Sequence, residues 1–131
     1  MSRQARILSI EDNPQMSILI QLIFERQGHR VMGVRKGELG LEFLRNLNPD
    51  VLLLDLMLPD IDGWQLYRMM KADKTLCKVP VIVVSARNPE QDRAMGDYVI
   101  GIDRFIQKPF EVNELVSAVN EILDINGTSR E

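Results

Sequence analysis

Short apolar runs alternate with amphipathic stretches along the whole chain. Apolar runs of four to five residues, rich in Ile, Val and Leu, are typical of buried strands. The predicted strands are 6–10, 30–34, 51–55, 81–85 and 104–107. Between them, apolar residues recur at the i, i+3, i+4 spacing of a helix that buries one face. The predicted helices are 14–27, 37–47, 64–72, 89–99 and 112–125.

Local signals support these boundaries. Asn13 followed by Pro14 is typical of a helix start, and Gly28 ends that helix. Strict alternation of strands and helices predicts an α/β fold, a doubly wound five-stranded parallel sheet with five helices. Residues 1–125 are expected to form one domain, and 126–131 a polar, frayed tail. The helix over 89–99 has the weakest apolar periodicity of the five.

Composition narrows the class of protein. The chain has 131 residues, a net charge of −3 and a pI near 5.2, with Lys and Arg scattered, which argues against binding nucleic acid through its phosphates. No apolar stretch could span a bilayer, and the N-terminus has no signal-peptide pattern. The single Cys77 cannot form an intrachain disulfide, so a cytoplasmic setting is expected. His29, the only histidine, is predicted to be exposed and to have no catalytic role.

Asp55 is the first candidate for chemistry. It ends the apolar run Val51-Leu52-Leu53-Leu54, where an unpaired buried charge would be costly. In an open α/β sheet, ligands bind beyond the carboxyl ends of the strands. Asp55 is therefore either a structural cap or a reactive group, and its neighbours in the sheet must decide.

Three other predicted strands also end in polar groups. Glu11 and Asp12 follow the first strand, Ser85 ends the fourth, and Lys108 follows the fifth. In a sheet of order 2-1-3-4-5 these strand ends are neighbours, so their side chains should face one pocket.

The residue types in this pocket favour phosphoryl chemistry. Three close carboxylates repel one another, and a hard cation such as Mg²⁺ relieves that repulsion through oxygen ligands and retained water. Lys108 supplies a compact positive charge and Ser85 a hydroxyl. A carboxylate such as Asp55 can itself be the nucleophile and become an aspartyl phosphate.

These residues resemble the receiver domain of two-component response regulators, which has a flavodoxin-like fold. The matching elements are Glu11-Asp12, the run from Asp55 through Pro59 to Gly63, Ser85-Ala86, Phe105, and Lys108-Pro109-Phe110. Each motif is weak alone, but five in order, over about residues 5 to 125, make a specific signal.

The resemblance implies a role for each matching residue. Asp55 would accept a phosphoryl group from a sensor histidine kinase or a histidine phosphotransfer protein. Asp12 and Asp55 would bind Mg²⁺, with Mn²⁺ as an alternative ion. Glu11 would assist through water, and the Met57 carbonyl would complete the protein ligands.

The resemblance also implies a switch. Lys108 would bridge the phosphorylated Asp55 through a site whose Lys108-Pro109 bond is cis. Ser85 would turn toward the phosphoryl group, and Phe105 would follow into the space this frees. The face formed by the fourth helix, fifth strand and last helix would then shift to control a downstream protein, with a phosphorylation-dependent homodimer as one form of output. No direct contact with nucleic acid or membrane is expected.

A phosphatase is the main alternative function. Haloacid-dehalogenase-like phosphatases also use an aspartate nucleophile with Mg²⁺, but need a second Asp two residues on as acid and base. Met57 holds that position here. The resemblance therefore implies a phosphoacceptor, with only self-phosphorylation and slow self-dephosphorylation, rather than an enzyme that turns over substrate.

Flavin-binding and calcium-binding sites would need residues that this chain lacks at the key positions. An FMN-binding site would need a Ser/Thr/Gly-rich phosphate loop after the first strand, where Glu11-Asp12-Asn13-Pro14 stands. The run 60–63 is similar to the middle of an EF-hand loop, but Leu58 and Met69 hold two ligand positions. An interaction module without phosphorylation would be expected to lack Asp55 or Lys108.

The sequence departs from the family pattern near the predicted output face. The interval from Ser85 to Lys108 is about one residue longer than the pattern, and Ile102 follows Gly101 where the family has Ala. We expect this face to have its own geometry or mobility. Equal hydrogen-exchange protection in 89–99 and 14–27 would contradict that expectation. A single-domain regulator and the receiver part of a longer protein both fit the sequence.

Overall fold

The computed structural model describes residues 4–90 and 102–130. The strands are β1 (Arg6–Ile10), β2 (Arg30–Val34), β3 (Val51–Leu54), β4 (Val81–Ser85) and β5 (Arg104–Gln107). The helices with described bounds are α1 (Pro14–Arg26), α2 (Gly37–Leu47), α3 (Gly63–Ala72) and α4 (Val112–Arg130).

The strands form one parallel sheet in the order β2-β1-β3-β4-β5, which confirms the predicted topology. Every residue of β3 and β4 is buried, as expected for central strands covered on both faces. One apolar cluster joins the sheet to α2 and α3, and another joins it to α1 and α4. Helices thus cover both faces and leave the carboxyl edge of the sheet for a site.

Helix and strand ends differ from prediction in four places. α1 ends at Arg26, one residue before its predicted end. β3 ends at Leu54, so Asp55 is the first residue beyond the strand. α3 starts at Gly63, one residue early, because Asp62 caps it through the Trp64 N–H. α4 continues to Arg130, where a frayed tail from residue 126 was expected, because each added residue extends a helix already anchored by packing.

The predicted helix over 89–99 lies mostly outside the described residues. Pro89 and Glu90 are helical, and the Asn88 side chain accepts the Glu90 N–H at 2.9 Å, as an N-cap residue does. Gly101 also lies outside the described part. No helix within 4–90 and 102–130 is long and apolar enough to cross a bilayer.

The prediction that His29 is exposed is wrong. The residue is only 7% exposed, and its Nδ1 accepts the Ala5 N–H at 3.0 Å. Its ring lies 6.5 Å from that of Phe24, centroid to centroid. Ala5 is 24 positions earlier in the chain, so local sequence gave no sign of this contact. His29 lies near the amino ends of β1 and β2, far along those strands from the polar edge.

Candidate functional site

The polar strand ends meet at one edge of the sheet. Ile10 of β1 pairs with Leu54 of β3, and the Asp55 N–H donates to the Ile10 carbonyl at 3.0 Å. At the other side, the Lys108 N–H donates to the Ser85 carbonyl at 2.8 Å. Parallel pairing therefore brings together the residues that follow β1, β3, β4 and β5, as predicted.

Lys108 connects two of the predicted carboxylates. Its Nζ lies 2.6 Å from Glu11 Oε1 and 3.5 Å from Asp55 Oδ2. The three side chains are buried or nearly so, with 17%, 3% and 7% exposure for Lys108, Glu11 and Asp55. The Lys108–Pro109 peptide bond is cis, as the family resemblance implied. The Lys108 ammonium thus forms ion pairs with two carboxylates, and it lies closer to that of Glu11.

The Glu11 carboxyl is perturbed by its surroundings. Burial raises the pKa of its carboxyl, and the hydrogen bond from Lys108 opposes that rise. Its second oxygen, Oε2, accepts the Asn13 N–H at 3.0 Å, and the charge of Asp55 raises the pKa further. Both Glu11 oxygens are therefore engaged by the protein.

The loop after β3 folds back tightly against Asp55. Asp55 Oδ1 accepts the Met57 N–H at 3.1 Å, and Met57 forms an isolated antiparallel bridge with Asp62. A Cβ atom at Gly63 would lie 2.7 Å from the Asp55 carbonyl oxygen and closer still to the Leu56 Cα. Only glycine fits here, and the turn fixes the backbone on both sides of the Asp55 carboxylate.

An open cavity of about 740 Å³ lies over this loop. Its lining includes Asp12, Met57, Asp62 and Arg87. Asp12 is half-buried, and the Met57 side chain is exposed. The cavity is lined by residues of the loop that follows Asp55 and by Arg87 of the loop that follows β4.

Ser85 and Arg87 form the wall contributed by β4. Ser85 is fully buried, and its Oγ accepts the Arg87 N–H at 3.4 Å. The Arg87 Nη1 lies 3.0 Å from Asp62 Oδ2 on the opposite loop. The hydroxyl predicted to respond to phosphorylation is thus linked to an ion pair that crosses the cavity.

Phe105, the second predicted switch residue, is half-buried in β5. Its ring lies 6.4 Å from that of Trp64 in α3, inclined at 41°. It packs against the apolar cluster on the α2 and α3 side of the sheet. This contact makes its position sensitive to the start of α3, whose cap is Asp62.

The oxygen donors fit a magnesium ion that keeps part of its water. Within 4–90 and 102–130, no three Asp, Glu, His or Cys side chains are arranged to hold one ion. Magnesium sites commonly use only one or two carboxylates together with water and phosphate oxygens. Asp12, Asp55 and the Met57 carbonyl are the candidates for such a set, since they follow the adjacent strands β1 and β3.

Two acidic residues near the site were missed as structural groups. Asp60 accepts the Gly37 and Glu38 N–H groups, at 2.8 and 3.0 Å, and so caps α2 from a separate loop. Asp62 caps α3 and pairs with Arg87. The Asp62-Gly63 dipeptide before an apolar helix is a recognisable start signal, whereas nothing local indicates the contact of Asp60. Neither carboxylate is left for a calcium loop of the EF-hand kind.

Comparison with known proteins agrees with the geometry. A family profile described as "Response regulator receiver domain" matches residues 7–120. The chain is 30% identical to Protein PilH of Pseudomonas aeruginosa over 119 residues, covering 91% of this chain and 98% of PilH. It is 34% identical over 118 residues to the DNA-binding dual master transcriptional regulator RpaA of Synechocystis, covering 90% of this chain. The chain spans about half of RpaA, 48% of its length.

One similar solved structure contains a bound metal ion. The receiver domain of the sensor histidine kinase PA1611 from Pseudomonas aeruginosa is 27% identical, with a TM-score of 0.77. The match covers 93% of this chain and 99% of that one. That structure has a magnesium ion coordinated in its active site cleft.

Proposed function

Because the chain belongs to the response regulator receiver family, we propose that Asp55 is its phosphoacceptor in a signalling switch. The donor is a sensor histidine kinase or a histidine phosphotransfer protein. The phosphorylated form controls a downstream protein, directly or within a longer chain. Receiver domains act in phosphorylation-dependent signalling, and the assignment of the phosphoacceptor role to Asp55 is our own.

One observation supports the proposal most strongly. Glu11, Asp55 and Lys108 follow the ends of three different strands. The Lys108 ammonium lies within 3.5 Å of a carboxylate oxygen of each of the other two residues. Lys108 is 97 residues from Glu11 and 53 from Asp55. Burying these charged side chains at the edge of the sheet has an unfavourable desolvation free energy. Such buried charge clusters are more typical of functional sites than of ion pairs that stabilise a fold.

Transfer requires a nucleophile and a place for the developing charge. An Asp55 oxygen forms the new bond to phosphorus while the bond from phosphorus to the donor imidazole nitrogen breaks, and that nitrogen keeps the electron pair. Oδ2 already faces Lys108, whereas Oδ1 is held by the Met57 N–H. Lys108 is placed to stay with the transferred group, whose oxygens offer more negative charge than Glu11 does.

Asp12, Asp55 and the Met57 carbonyl are the proposed magnesium ligands, with Glu11 acting through water and Mn²⁺ as an alternative ion. When bound, the ion offsets the carboxylate charge and the charge on the transferring phosphoryl group. The protein's own part is to hold the two aspartates on adjacent strands and to keep Glu11 neutralised by Lys108.

The proposed switch runs from Ser85 to Phe105. Ser85 Oγ turns toward the phosphoryl group, and Phe105, whose ring now packs against that of Trp64, follows into the space this frees. The output face comprises the predicted helix over 89–99, β5 and α4. Binding of a partner or of a second copy at this face would then depend on the phosphorylated population.

Met57 favours a switch over a phosphatase. Its exposed thioether lines the cavity where a turnover enzyme would place a proton carrier. A thioether neither donates nor accepts a proton near neutral pH. We therefore expect the aspartyl phosphate to decay slowly by itself and to be read by a partner.

Intact-mass spectrometry tests the proposal. After mixing with acetyl phosphate and Mg²⁺, the protein should gain one phosphoryl group. The gain should disappear when the ion is chelated and in Asp55→Asn, which keeps the size of the side chain. No gain with any donor would favour an interaction module without phosphorylation, and steady release of phosphate over many turnovers would favour a phosphatase.

A further inference from the structure

Asp62 divides its two carboxylate oxygens between a helix and an arginine. Oδ1 accepts the Trp64 N–H at 2.8 Å and so caps α3. Oδ2 lies 3.0 Å from Arg87 Nη1. Both residues line the cavity over the loop that follows Asp55, so the ion pair lies beside the segment that carries the proposed phosphoacceptor.

The ion pair joins two segments that the proposed switch must move relative to each other. Arg87 belongs to the loop after β4, and its N–H donates to Ser85 Oγ. Asp62 is the N-cap of α3, and the first turn of that helix carries Trp64 against Phe105. A rotation of the Ser85 hydroxyl toward Asp55 gives up the bond from the Arg87 N–H and so disturbs the loop that carries the guanidinium.

A phosphoryl group on Asp55 would offer Arg87 a stronger partner. It brings nearly two negative charges and three acceptor oxygens, whereas Asp62 brings one charge with one oxygen already bound to Trp64. The planar fork of a guanidinium pairs with carboxylate and phosphate oxygens alike, so the larger charge and the free oxygens of the phosphoryl group decide the competition.

We propose that Asp62 is an internal competitor of the phosphoryl group for Arg87. In the unphosphorylated protein the Asp62–Arg87 pair holds the Ser85 loop against α3. In the phosphorylated protein the guanidinium transfers to the phosphoryl oxygens, and Asp62 keeps only its capping bond. This inference rests on the proposed function of Asp55 and assigns Asp62 and Arg87 as positioning residues for it.

The pair is weak enough to be displaced. Arg87 and Asp62 are 24% and 51% exposed, and such pairs are screened by water and salt. Exposed ion pairs change equilibria by about two- to fivefold. Removing the competitor should therefore strengthen binding of a phosphoryl analogue at Asp55 by about that factor.

A double-mutant cycle with beryllium trifluoride tests this competition. The probe is an anionic phosphoryl analogue, and fluorine NMR in the presence of Mg²⁺ counts the bound form directly. Asp62→Asn keeps an oxygen to cap α3 and removes the charge. It should bind the probe about two- to fivefold more tightly than the unmodified chain. Arg87→Gln should bind it more weakly, and adding Asp62→Asn to Arg87→Gln should change nothing further.

Two controls separate the competition from a structural role. Arg87→Lys keeps the charge without the planar fork, so its affinity should fall between those of the unmodified chain and Arg87→Gln. Raising the salt concentration should shrink the advantage of Asp62→Asn, because the lost ion pair is exposed. An equal gain from Asp62→Asn with Arg87 or Gln at position 87, or no gain at all, would overturn the proposal. If the unmodified chain neither binds the probe nor takes up a phosphoryl group, the proposed function fails and this inference falls with it.

Discussion

Individual side chains explain how this sheet edge tolerates three acidic residues. Lys108 lies between Glu11 and Asp55, the Asn13 N–H binds Glu11, and the Met57 N–H binds Asp55. Burial still dominates at Glu11 and raises the pKa of its carboxyl. Burial and mutual repulsion thus disfavour the ionised carboxylates at this edge, and an added cation would stabilise them.

Ser9 in β1 is a residue whose removal should stabilise the fold. Its Oγ is buried and has no hydrogen-bond partner among the described residues. Ser9→Ala should raise the free energy of unfolding by about 1 kcal/mol, because an unpaired buried hydroxyl is costly. Urea unfolding measures the change, with Ser17→Ala on the half-buried face of α1 as a control. A loss of stability would contradict the prediction and point to a buried water that binds Ser9.

Asp60 should make the free energy of unfolding depend on pH. Hydrogen bonds from the Glu38 and Gly37 N–H groups lower the pKa of its carboxyl. A carboxyl with a lowered folded-state pKa contributes stability above its unfolded value of about 3.9, and this is lost as pH falls through the folded value. Asp60→Ala should cost about 1 kcal/mol at neutral pH and less as the pH falls below about 4.

Urea midpoints from pH 7 down to pH 3 would test this, on the unmodified chain, Asp60→Ala and Glu42→Ala. Glu42→Ala removes an exposed carboxylate from the same helix without removing a cap. A cost of Asp60→Ala that stays constant over this range would mean that the charge of Asp60 contributes nothing to the α2 cap.

At the scale of helices and strands, the turn from β3 into α3 depends on a glycine. Of the described glycines, Gly63 is the one whose Cβ position lies against other backbone atoms. Gly63→Ala would place a methyl group against the backbone of Asp55 and Leu56, which cannot move aside. We expect a loss of about 1–3 kcal/mol, even though alanine favours helices. Gly37→Ala meets the Ile61 Cγ2 methyl and the Leu66 and Leu58 Cδ1 methyls, which are side-chain atoms that can shift further than backbone, and should cost less. Thermal unfolding measures both, and the reverse order would contradict the assigned turn.

The contact between α3 and β5 provides an optical reporter. Trp64 is the only tryptophan of the chain, is buried, and lies 6.4 Å from the Phe105 ring. If Phe105 moves when Asp55 is phosphorylated, the emission of Trp64 should change on addition of acetyl phosphate and Mg²⁺. Phe105→Leu should reduce this change while phosphorylation continues. An unchanged response in Phe105→Leu would remove Phe105 from the switch.

Periodicity predicted most element boundaries because they depend on local burial. β1, β2, α2, β4 and β5 have the predicted bounds, since each apolar run or stripe faces one of the two cores. The predicted end of α4 was wrong because the polar residues after position 125 carry little sequence signal against continuing the helix. The prediction that His29 is exposed was wrong because its hydrogen bond with the Ala5 N–H depends on how the strands pair.

The candidate site was predicted in outline but not in its contacts. Residues at strand ends follow from topology, so Glu11, Asp12, Asp55, Ser85 and Lys108 could all be placed at one edge from the sequence. The closer approach of Lys108 to Glu11 than to Asp55 depends on side-chain geometry across 97 residues. The Asp62–Arg87 pair, 25 residues apart, depends on two loops meeting over the cavity.

For the protein taken as a whole, the sheet order sets what phosphorylation can reach. β3 carries Asp55 at the centre, while β4 and β5 carry Ser85 and Phe105 toward one side. A local charge added at Asp55 can therefore bias the β4 and β5 side of the fold, where we place the output face.

Locating the phosphoryl group tests the central claim most directly. The chain would be treated with acetyl phosphate and Mg²⁺ and reduced with borohydride, which converts an aspartyl phosphate to homoserine, and its peptides would be sequenced by mass spectrometry. We predict homoserine at position 55 and at no other acidic residue, with none formed in the Asp55→Asn variant. Homoserine at position 12 or elsewhere, or none in the unmodified chain, would contradict the assignment of Asp55.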